Sequence, residues 1–513
     1  MRTTRTPRPL ALLATLLLAG CPTNEAPPAD TTGGSSSGGT TQAAGPTATG
    51  ELPTTGEGTS ETAAPTTGSS TGTTGAVEPD PDVCPGGEVQ WSVVLTSQAD
   101  VDRMHGCTSV GDRLDIMGDD IVDLGPLAAL VKVGNYLDIR ANPALTSLAG
   151  LEQLESVGTL YIDSNPALTD LEGLRGLRSV GGIGVSQNPA LTSLKGLRNV
   201  ALLLSPSPLV FVSANAQLGS LAGIEGIVAS DEVQLALVAN PALADLSALA
   251  GVDRLESLDL SGNTGLTTLA GLEQLSHVGA GLSLRGNDAL LDLGGLSGLR
   301  EVGYLALATN AALTDLAGLS GLESAGMVIV DELAPLDSLA GLSGLVDVGT
   351  LLVADNSSLT SLAGLTSLTQ LDELVLRRCS GLTSLAGLAG VAVSGVVELS
   401  ENPALTTLTG VAPLAVLDTL YLRDNDKLAT LAGFATLATV HDLTVIKHDA
   451  LAQLDAEAWA AARTVTGTLK IDGNLGAPPH LDECPWVLDG ECDELMGTGL
   501  CPDGSDFEDC PID

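Results

Sequence analysis

The chain has 513 residues, a formal net charge of −42 at pH 7 and a mean hydropathy of +0.30, and only 2% of its residues are aromatic. Such an acidic chain is a poor partner for nucleic acid, because proteins that bind nucleic acid neutralise phosphates with lysine and arginine. The same acidity favours divalent cations or cationic proteins as partners.

The first 20 residues predict a secretory signal peptide. Three early arginines precede an apolar run, 10–19, that is too short to form a permanent membrane-spanning helix. Residues 18–21 read Leu-Ala-Gly-Cys, which resembles the cleavage box of bacterial lipoproteins. The resemblance implies cleavage before Cys21, lipidation of its thiol and a lipid anchor in the bacterial cell envelope. The alternative is an ordinary signal peptide followed by a chance cysteine. Pro22 stands where an aspartate is associated with inner-membrane retention, which favours the outer membrane or the cell surface.

Residues 21–83 predict a flexible tether. Between Pro22 and Asp80 the sequence consists mainly of threonine, glycine, serine, proline and alanine, with few large apolar side chains. Such a segment cannot bury enough apolar surface to offset the conformational entropy that folding would cost. The exported protein is therefore expected to be held to its membrane by a long linker.

Residues 84–113 predict an N-terminal cap. Cys84 and Cys107 stand on either side of a short segment just before a long series of repeats. The chain has eight cysteines, and in an exported protein cysteines favour disulfides over zinc sites. We therefore expect a disulfide between Cys84 and Cys107 that closes the cap.

Residues 114–476 repeat one phrase, in which an asparagine follows a short apolar strand and precedes a series of leucines. The frame falls on Asn142, Asn165, Asn188, Asn215, Asn240, Asn263, Asn287, Asn310, Leu333, Asn356, Cys379, Asn402, Asn425, His448 and Asn474. Ten of the fourteen steps between these positions are 23 residues long. An earlier copy places Asp119 at the same position of the frame.

The period predicts a β-rich, α/β-like solenoid. Leu160 and Ile162 point inward and Tyr161 outward, as strand alternation requires, and a series of leucines from Leu168 to Leu177 supplies further inward side chains. One unit cannot bury its apolar face alone, but stacked units share a continuous core. We expect a parallel sheet of about fifteen rungs, with short loops or 3-10 turns on the other flanks.

The frame asparagines are interpreted as structural, because a buried amide both donates and accepts the hydrogen bonds that a turning backbone needs. Gly158 and Gly181 are expected to take a left-handed bend before the next strand. Cys379 is expected to be a buried small residue and His448 a structural substitute for asparagine, while Leu333 cannot make the bonds of an amide. No motif for catalysis stands out, and an enzyme is not predicted.

The repeated phrase L-x-I-x-x-N-P-A-L-x-x-L-x-G-L resembles leucine-rich repeats, and in particular the receptor L-domain variety. The resemblance covers residues 114–476 and implies a right-handed solenoid whose parallel sheet is used for recognition. Extracellular domains of this variety often begin with a disulfide-closed cap, which agrees with the expected pairing of the first two cysteines after the tether.

The middle residue of each strand is expected to form an exposed row on the sheet. In this row Ile329, Leu352 and Val375 are large and apolar, with Arg377 and Tyr421 near their edge. An apolar strip with a polar border is typical of a contact site, so we expect these five residues to form a partner-binding face. The alternatives are that a twisted sheet tolerates apolar residues there or that a loop covers them.

Residues 477–513 predict a small cysteine- and aspartate-rich module. Its cysteines are Cys484, Cys492, Cys501 and Cys510, which permit three disulfide connectivities. The pattern resembles a degenerate Notch-type calcium module with four cysteines in place of six. The resemblance implies calcium ligands among Asp489, Asp493, Asp503, Asp506 and Asp509, which supply the oxygen atoms that calcium prefers. The alternative is an acidic, solvated tail.

Two functions remain open from the sequence. The first is a lipid-anchored surface protein that binds a protein or glycan partner through its repeat sheet, held to the membrane by the lipid on Cys21. The second is a structural or adhesive spacer that divalent cations stiffen or cross-link. The apolar strip of the sheet favours the first.

Overall fold

The computed structural model describes residues 84, 87–203, 205, 207–229 and 233–476. The signal peptide, Cys21, the tether and the whole 477–513 module, with its four cysteines and five candidate calcium ligands, lie outside the described residues. Every described residue belongs to one compact unit within Gly75–Asp513.

Within the described residues, 21 strands form one sheet in which all pairings are parallel. The strands are β1 (Glu88–Val89), β2 (Val93–Leu95), β3 (Ser109–Val110), β4 (Arg113–Ile116), β5 (Lys132–Arg140), β6 (Ser156–Asp163), β7 (Ser179–Ser186), β8 (Leu202–Leu203), β9 (Leu209–Ser213), β10 (Gln234–Val238), β11 (Arg254–Asp259), β12 (His277–Arg285), β13 (Glu301–Ala308), β14 (Ser324–Asp331), β15 (Asp347–Ala354), β16 (Gln370–Arg377), β17 (Ala392–Ser400), β18 (Val416–Arg423), β19 (Thr439–Ile446), β20 (Thr464–Val465) and β21 (Leu469–Asp472). One strand of each repeat pairs with the strand of the next, so the predicted parallel sheet of about fifteen rungs is confirmed.

The register of the sheet follows from the 23-residue period, because an unchanged spacing places equal repeat positions side by side. Tyr161 on β6 is aligned with Asp138 on β5 and with Gly184 on β7. Where the frame step lengthens to 24 residues, β12 absorbs the extra residue as an irregularity between Val278 and Gly281. The core alternation therefore continues across the insertion.

Eight short 3-10 turns lie on the opposite flank of the described repeats, as predicted. They span Gly125–Leu127, Glu172–Leu174, Lys195–Leu197, Ser247–Leu249, Gly294–Leu296, Ala317–Leu319, Ala340–Leu342 and Ala432–Phe434. The middle residue is often glycine because the rungs stack closely: a Cβ on Gly173 would collide with the carbonyl oxygen of Leu148. A short turn allows successive repeats to stack on this flank at the same spacing as the strands of the sheet.

The core between sheet and turns is made of leucine, with valine and isoleucine. Leu168, Leu171, Leu174 and Leu177 are all fully buried, as are Leu191 and Leu243. Complete burial of a leucine side chain contributes about 1.5–3 kcal/mol. Because each leucine packs against the equivalent leucines of both neighbouring rungs, the stack is the unit that is stable, which agrees with the predicted solenoid.

A ladder of buried asparagines joins consecutive rungs. Asn165 is fully buried, and its Nδ2 donates to the carbonyl oxygens of Ile139 at 2.9 Å and Asp163 at 3.0 Å. Its Oδ1 accepts the backbone N–H of Asn142 at 3.2 Å. One amide therefore satisfies three backbone groups where the strand ends, which confirms the structural interpretation of the frame asparagines.

The left-handed residue of each repeat is not the glycine that the sequence suggested. Neither Gly158 nor Gly181 has a positive φ; the residue directly before the asparagine takes that conformation, as in Ala141 with φ 52° and Ser164 with φ 57°. Gly158 is needed for space instead, since its Cβ would collide with the carbonyl oxygen of Asn135. The asparagine bonds hold the preceding residue in its left-handed turn.

The first predicted frame position is also different. Asp119 is exposed, and it is the backbone N–H of Gly118 that donates to Oδ1 of Asn142, at 2.9 Å. The ladder therefore begins at Asn142, because a charged carboxylate in the buried position before it would lose its hydration without an amide's donors. The prediction that Asp119 occupies a ladder position is wrong.

Three ladder positions lack an asparagine. Cys379 is fully buried, as expected, and burial raises the pKa of its thiol to about 11. His448 is fully buried and its Nδ1 accepts the backbone N–H of Asn425 at 3.1 Å, so it replaces the asparagine oxygen. Leu333 is fully buried and has no acceptor for the N–H of Asn310, which interrupts the ladder between β13 and β14.

The two ends of the solenoid are built differently. A disulfide joins Cys84 to Cys107, as expected, and helix α1 (Gln98–Arg103) lies between them, with Ser97 accepting the N–H of Asp100. The other end carries helix α2 (Gln453–Ala461), after which Arg463 lies over the ring of Trp459 at 3.5 Å. No helix among the described residues has the length and hydrophobicity needed to cross a bilayer.

Candidate functional site: the outer face of the sheet

The outer sheet face, defined here as the face turned away from the leucine core, carries a continuous row of side chains. The row runs through Asp138, Tyr161, Gly184, Phe211, Ala236, Asp259, Ser283, Ala306, Ile329, Leu352, Val375, Glu398, Tyr421, Thr444 and Lys470. The register aligns each of these residues with the next, so the order expected from the sequence is the order in the fold.

The apolar strip in this row is far less exposed than expected. Leu352 is 2% exposed and Val375 is 4% exposed, whereas Ile329 is partly exposed. Neighbouring parallel strands lie about 4.8 Å apart, so Leu352 is enclosed by Ile329 and Val375 on the adjoining strands. The prediction that Leu352 and Val375 are exposed is wrong, because mutual packing of aligned side chains does not appear in a strand pattern.

A charged pair borders the strip on one side. Nε and Nη2 of Arg377 donate to the two carboxylate oxygens of Glu398, each at 2.6 Å. These bonds raise the pKa of the Arg377 guanidinium above its ordinary value. Glu398 lies between Val375 and Tyr421 in the row, so the structure places three of the five predicted residues, Val375, Arg377 and Tyr421, at one bidentate ion pair. Leu352 lies one strand beyond Val375, and Ile329 one strand beyond Leu352.

Asp331 is a half-buried carboxylate beside the same strip. It is aligned with Ala308 and Ala354 on the adjoining strands. Burial, with the charges of Asp355 and Glu332, raises the pKa of Asp331 to about 6. Its Oδ1 is buried and accepts no hydrogen bond, and the opposing charges of Arg378 and Arg285 do not outweigh the effect of burial on its pKa.

Five of the eight aromatic residues that the structure describes lie on the outer sheet face. All four tyrosines of the sequence, Tyr136, Tyr161, Tyr304 and Tyr421, lie on this face together with Phe211. Tyr136, Tyr161 and Tyr304 are each more than two-fifths exposed. The sequence contained this signal: in a chain with 2% aromatic residues, tyrosine recurs at outward strand positions.

Two of these tyrosines are stacked near the N-terminal end of the sheet. The rings of Tyr136 and Tyr161 are 6.2 Å apart between centroids and inclined by 17°. Tyr161 turns one ring edge towards β7, since its Cδ1 would stand 2.7 Å from a Cβ on Gly184. Gly182 and Gly184 carry no side chain on this face and are both buried, and Phe211 lies on the far side of β7.

A compact ion-pair network borders the tyrosine pair. Arg113 bonds Asp115 and lies 3.0 Å from Asp138, and Arg140 lies 3.5 Å from the same Asp138 carboxylate. Burial raises the pKa of Asp138, while the two guanidinium groups act in the opposite direction. Two arginines against two aspartates make this network electrically neutral, which is unusual on a chain with a net charge of −42.

Metal coordination is a separate question. Among the described ranges, no three histidine, cysteine or acidic side chains converge in a way that would hold a metal ion. The calcium ligands that the sequence suggests all lie in 477–513, beyond those ranges.

No family model and no curated protein matches this sequence. Among solved structures, the chain is similar to an internalin (InlF) of Listeria monocytogenes, at 18% identity over 67% of this chain and 92% of the internalin, with a TM-score of 0.26. It is similar to a leucine-rich-repeat protein of Leptospira interrogans at 18% identity, over 72% of this chain and 93% of that protein, with a TM-score of 0.33. It is also similar to InlJ of Listeria monocytogenes at 18% identity, over 66% and 69% of the two chains, with a TM-score of 0.24. The fold itself, a leucine-rich-repeat solenoid, follows from the parallel sheet, the leucine core and the asparagine ladder.

Proposed function

We propose that this protein is an exported, lipid-anchored recognition protein that binds a protein partner through the outer sheet face. The observation that carries the proposal is the packed strip of Ile329, Leu352 and Val375, bordered by the Arg377–Glu398 pair and by Tyr421. Protein contact sites combine an apolar centre with a polar border, and tyrosine and arginine contribute a large share of binding energy in such sites.

The burial within the strip determines which residues meet the partner. Because Leu352 and Val375 are enclosed, they support a rigid floor, and the accessible contacts come from Ile329, Arg377 and Tyr421. A floor that is already ordered loses little side-chain entropy when a partner binds. Recognition therefore depends on the three accessible side chains more than on the two buried ones.

The anchoring proposal rests on the N-terminal sequence. Lipidation of Cys21 would place the solenoid at the surface of the bacterial envelope, on the outer membrane, with residues 22–83 as its tether. A glycan is the second class of ligand that an exposed sheet can bind. The alternative function is a spacer that divalent cations stiffen or cross-link. It is supported by the net charge of −42 and by the aspartates of residues 477–513.

The test compares partner capture by variants of the accessible residues. Intact cells that carry the wild-type protein are crosslinked and the captured protein is identified, and capture is then repeated with Ile329→Asp, Arg377→Glu and Tyr421→Ala. We expect each change to reduce capture at least tenfold. Val346→Asp is the matched control, since Val346 is an exposed apolar residue that precedes β15.

The outcome that contradicts the proposal is equally direct. If all three variants fold with wild-type circular dichroism and still capture the same partner at wild-type levels, the strip is not the binding face. If capture requires calcium and is indifferent to these variants, the spacer function is supported instead.

A further inference from the structure

We propose that the open C-terminal end of the solenoid core is an interaction surface and that its occupant is residues 477–513 of the same chain. The surface, called here the C-terminal end face, consists of Val465, Leu469 and Ile471, the inward side chains of the last rung, with Leu475 beside them. It lies on β20 and β21 and is separate from the Ile329 strip, so the inference does not depend on the proposed function.

The inward residues of the last rung are exposed where those of the preceding rung are buried. Leu469 is aligned with Leu443 and Ile471 with Val445, and both partners on β19 are fully buried. Leu469 is nevertheless 55% exposed, and Ile471 is partly exposed. An inward leucine of a solenoid is buried only when a neighbour covers it on each side. The C-terminal end face is therefore core that has a neighbour on one side only, among the residues that the structure describes.

The N-terminal end shows how this chain covers an end of its core. Leu95, at an inward position of β2, is 3% exposed. Val101 of helix α1 and Met104 at the end of that helix are fully buried in the same cluster, and the Cys84–Cys107 disulfide closes the cap. A short segment with a disulfide is thus sufficient to bury one end. Residues 477–513 contain four cysteines and directly follow the other end.

The asparagine ladder ends at the last rung, so the cover is not a further repeat. Within the ladder, the backbone N–H and Nδ2 of Asn142 both donate to Oδ1 of Asn165, at 3.2 and 3.0 Å. The N–H and Nδ2 of Asn474 instead donate to Oε1 of Gln453 on α2, at 3.4 and 3.0 Å. The helix takes the place of the next asparagine. A covering segment therefore needs apolar side chains rather than another ladder amide.

The point where the chain leaves the last rung selects the occupant. The N–H of Leu475 donates to the carbonyl oxygens of His448 at 3.0 Å and Leu451 at 2.9 Å, which fixes this point beside the C-terminal end face. Residues 486–488 read Trp-Val-Leu and begin ten residues after Gly476. Ten extended residues reach roughly 33 Å, far more than the spacing of about 4.8 Å between rungs. These three apolar residues can therefore reach the exposed leucines.

A second copy of the chain is the competing occupant. Each copy carries a net charge of −42, which opposes the association of two copies. A second copy is also present only at its bulk concentration, whereas a segment joined to the same rung has an effective concentration on the order of millimolar. The attached segment therefore occupies the C-terminal end face in preference to another molecule.

The experiment uses the full-length protein with the photo-crosslinking residue p-benzoylphenylalanine in place of Leu469. Crosslinked peptides are identified by mass spectrometry, and an equal mixture of light and heavy isotope-labelled chains distinguishes contacts within one chain from contacts between chains. We expect crosslinks to peptides of residues 477–513 of the same chain. Leu291 is the matched control position, since it is as exposed as Leu469 but lies between β12 and β13, and it should give no such crosslink.

A second measurement follows amide hydrogen exchange in the full-length protein. The triple change Trp486→Ser, Val487→Ser and Leu488→Ser should accelerate exchange of the β21 amides at least tenfold, because it removes the apolar cover, while the amides of β13 in the same protein keep their wild-type rate. The proposal is overturned if position 469 crosslinks to a second copy, to another part of the chain or to nothing. Wild-type exchange of the β21 amides in the triple variant also overturns it.

Discussion

The backbone N–H of Asn425 donates to Nδ1 of His448 at 3.1 Å, inside a rung where both side chains are fully buried. This bond requires a neutral imidazole, with the proton on Nε2. His448 thus continues the asparagine ladder only in its uncharged form, and the last described rungs depend on its protonation state.

The first prediction concerns pH. Burial lowers the pKa of His448 to about 4, below the ordinary value of 6.5 in the unfolded chain. The neutral folded form is therefore favoured above about pH 6.5, and its stabilising contribution is lost as the pH falls towards 4. At about 1.36 kcal/mol per pKa unit, this contribution is at most about 3 kcal/mol. Urea unfolding should show that His448→Asn reduces the loss of stability between pH 7 and pH 4.5; an unchanged loss would contradict the assignment.

The second prediction compares two ladder positions. Asn165→Leu removes the three hydrogen bonds that the amide makes to backbone groups and leaves those buried groups without partners, which costs about 1–3 kcal/mol for each group. Leu333→Asn makes the opposite change where the N–H of Asn310 lacks an acceptor, so we expect it to leave thermal stability unchanged or raise it. Differential scanning calorimetry of both variants provides the measurement. Leu336→Asn, in the buried core, is the control that should destabilise. A large loss of stability in the Leu333→Asn protein would show that the ladder is not the cause.

The third prediction concerns Asp331. Its pKa is raised to about 6 in the fold, above the ordinary value of 3.8. The folded state therefore holds a proton that the unfolded state releases, and the stability from this group, present at low pH, is lost as the pH rises through about 6. Asp331→Asn should raise the melting temperature at pH 7.5 and change it little near pH 4. Asp347→Asn, an exposed acidic residue at the start of β15, is the control, and an equal rise in both variants would count against the prediction.

The fourth prediction tests calcium at the C-terminal module. Titration calorimetry of the full-length protein should detect calcium uptake, and the double change Asp503→Asn with Asp506→Asn should weaken it at least tenfold. The reason is that calcium binds through carboxylate and carbonyl oxygens and loses affinity with each ligand removed. The double change Asp337→Asn with Asp347→Asn, two acidic residues of the repeats, is the control. Absence of uptake by the wild-type protein at millimolar calcium would exclude the site.

The local features of the fold were readable from single residues in the sequence. The period of 23 and the Leu-x-Ile alternation around Tyr161 predict the parallel sheet, because equal repeats can bury their leucines only by stacking. The cap disulfide, the burial of Cys379 and the substitute role of His448 are confirmed as well. These features depend on residues that are close together in the sequence or on one buried position that recurs in every repeat.

Two local expectations failed for physical reasons that lie between rungs. Gly158 avoids a collision with the neighbouring strand and does not take the left-handed turn, which the asparagine bonds impose on the residue before them. Asp119 precedes the first ladder asparagine but remains exposed, since the backbone of Gly118 already satisfies Asn142. Both errors concern contacts with the adjoining rung, which no single repeat reveals.

The sequence by itself determined the solenoid, the frame of its rungs and the order of side chains along the outer sheet face, because a fixed period and a two-residue alternation leave one arrangement that buries the leucines. Only the tertiary structure decided which of those side chains are accessible. Leu352 and Val375 are enclosed by their aligned neighbours, whereas Tyr136 and Tyr161 lie open beside the glycines of β7. Exposure on a sheet depends on the size of the side chains on the two neighbouring strands, and those are brought together only by the register.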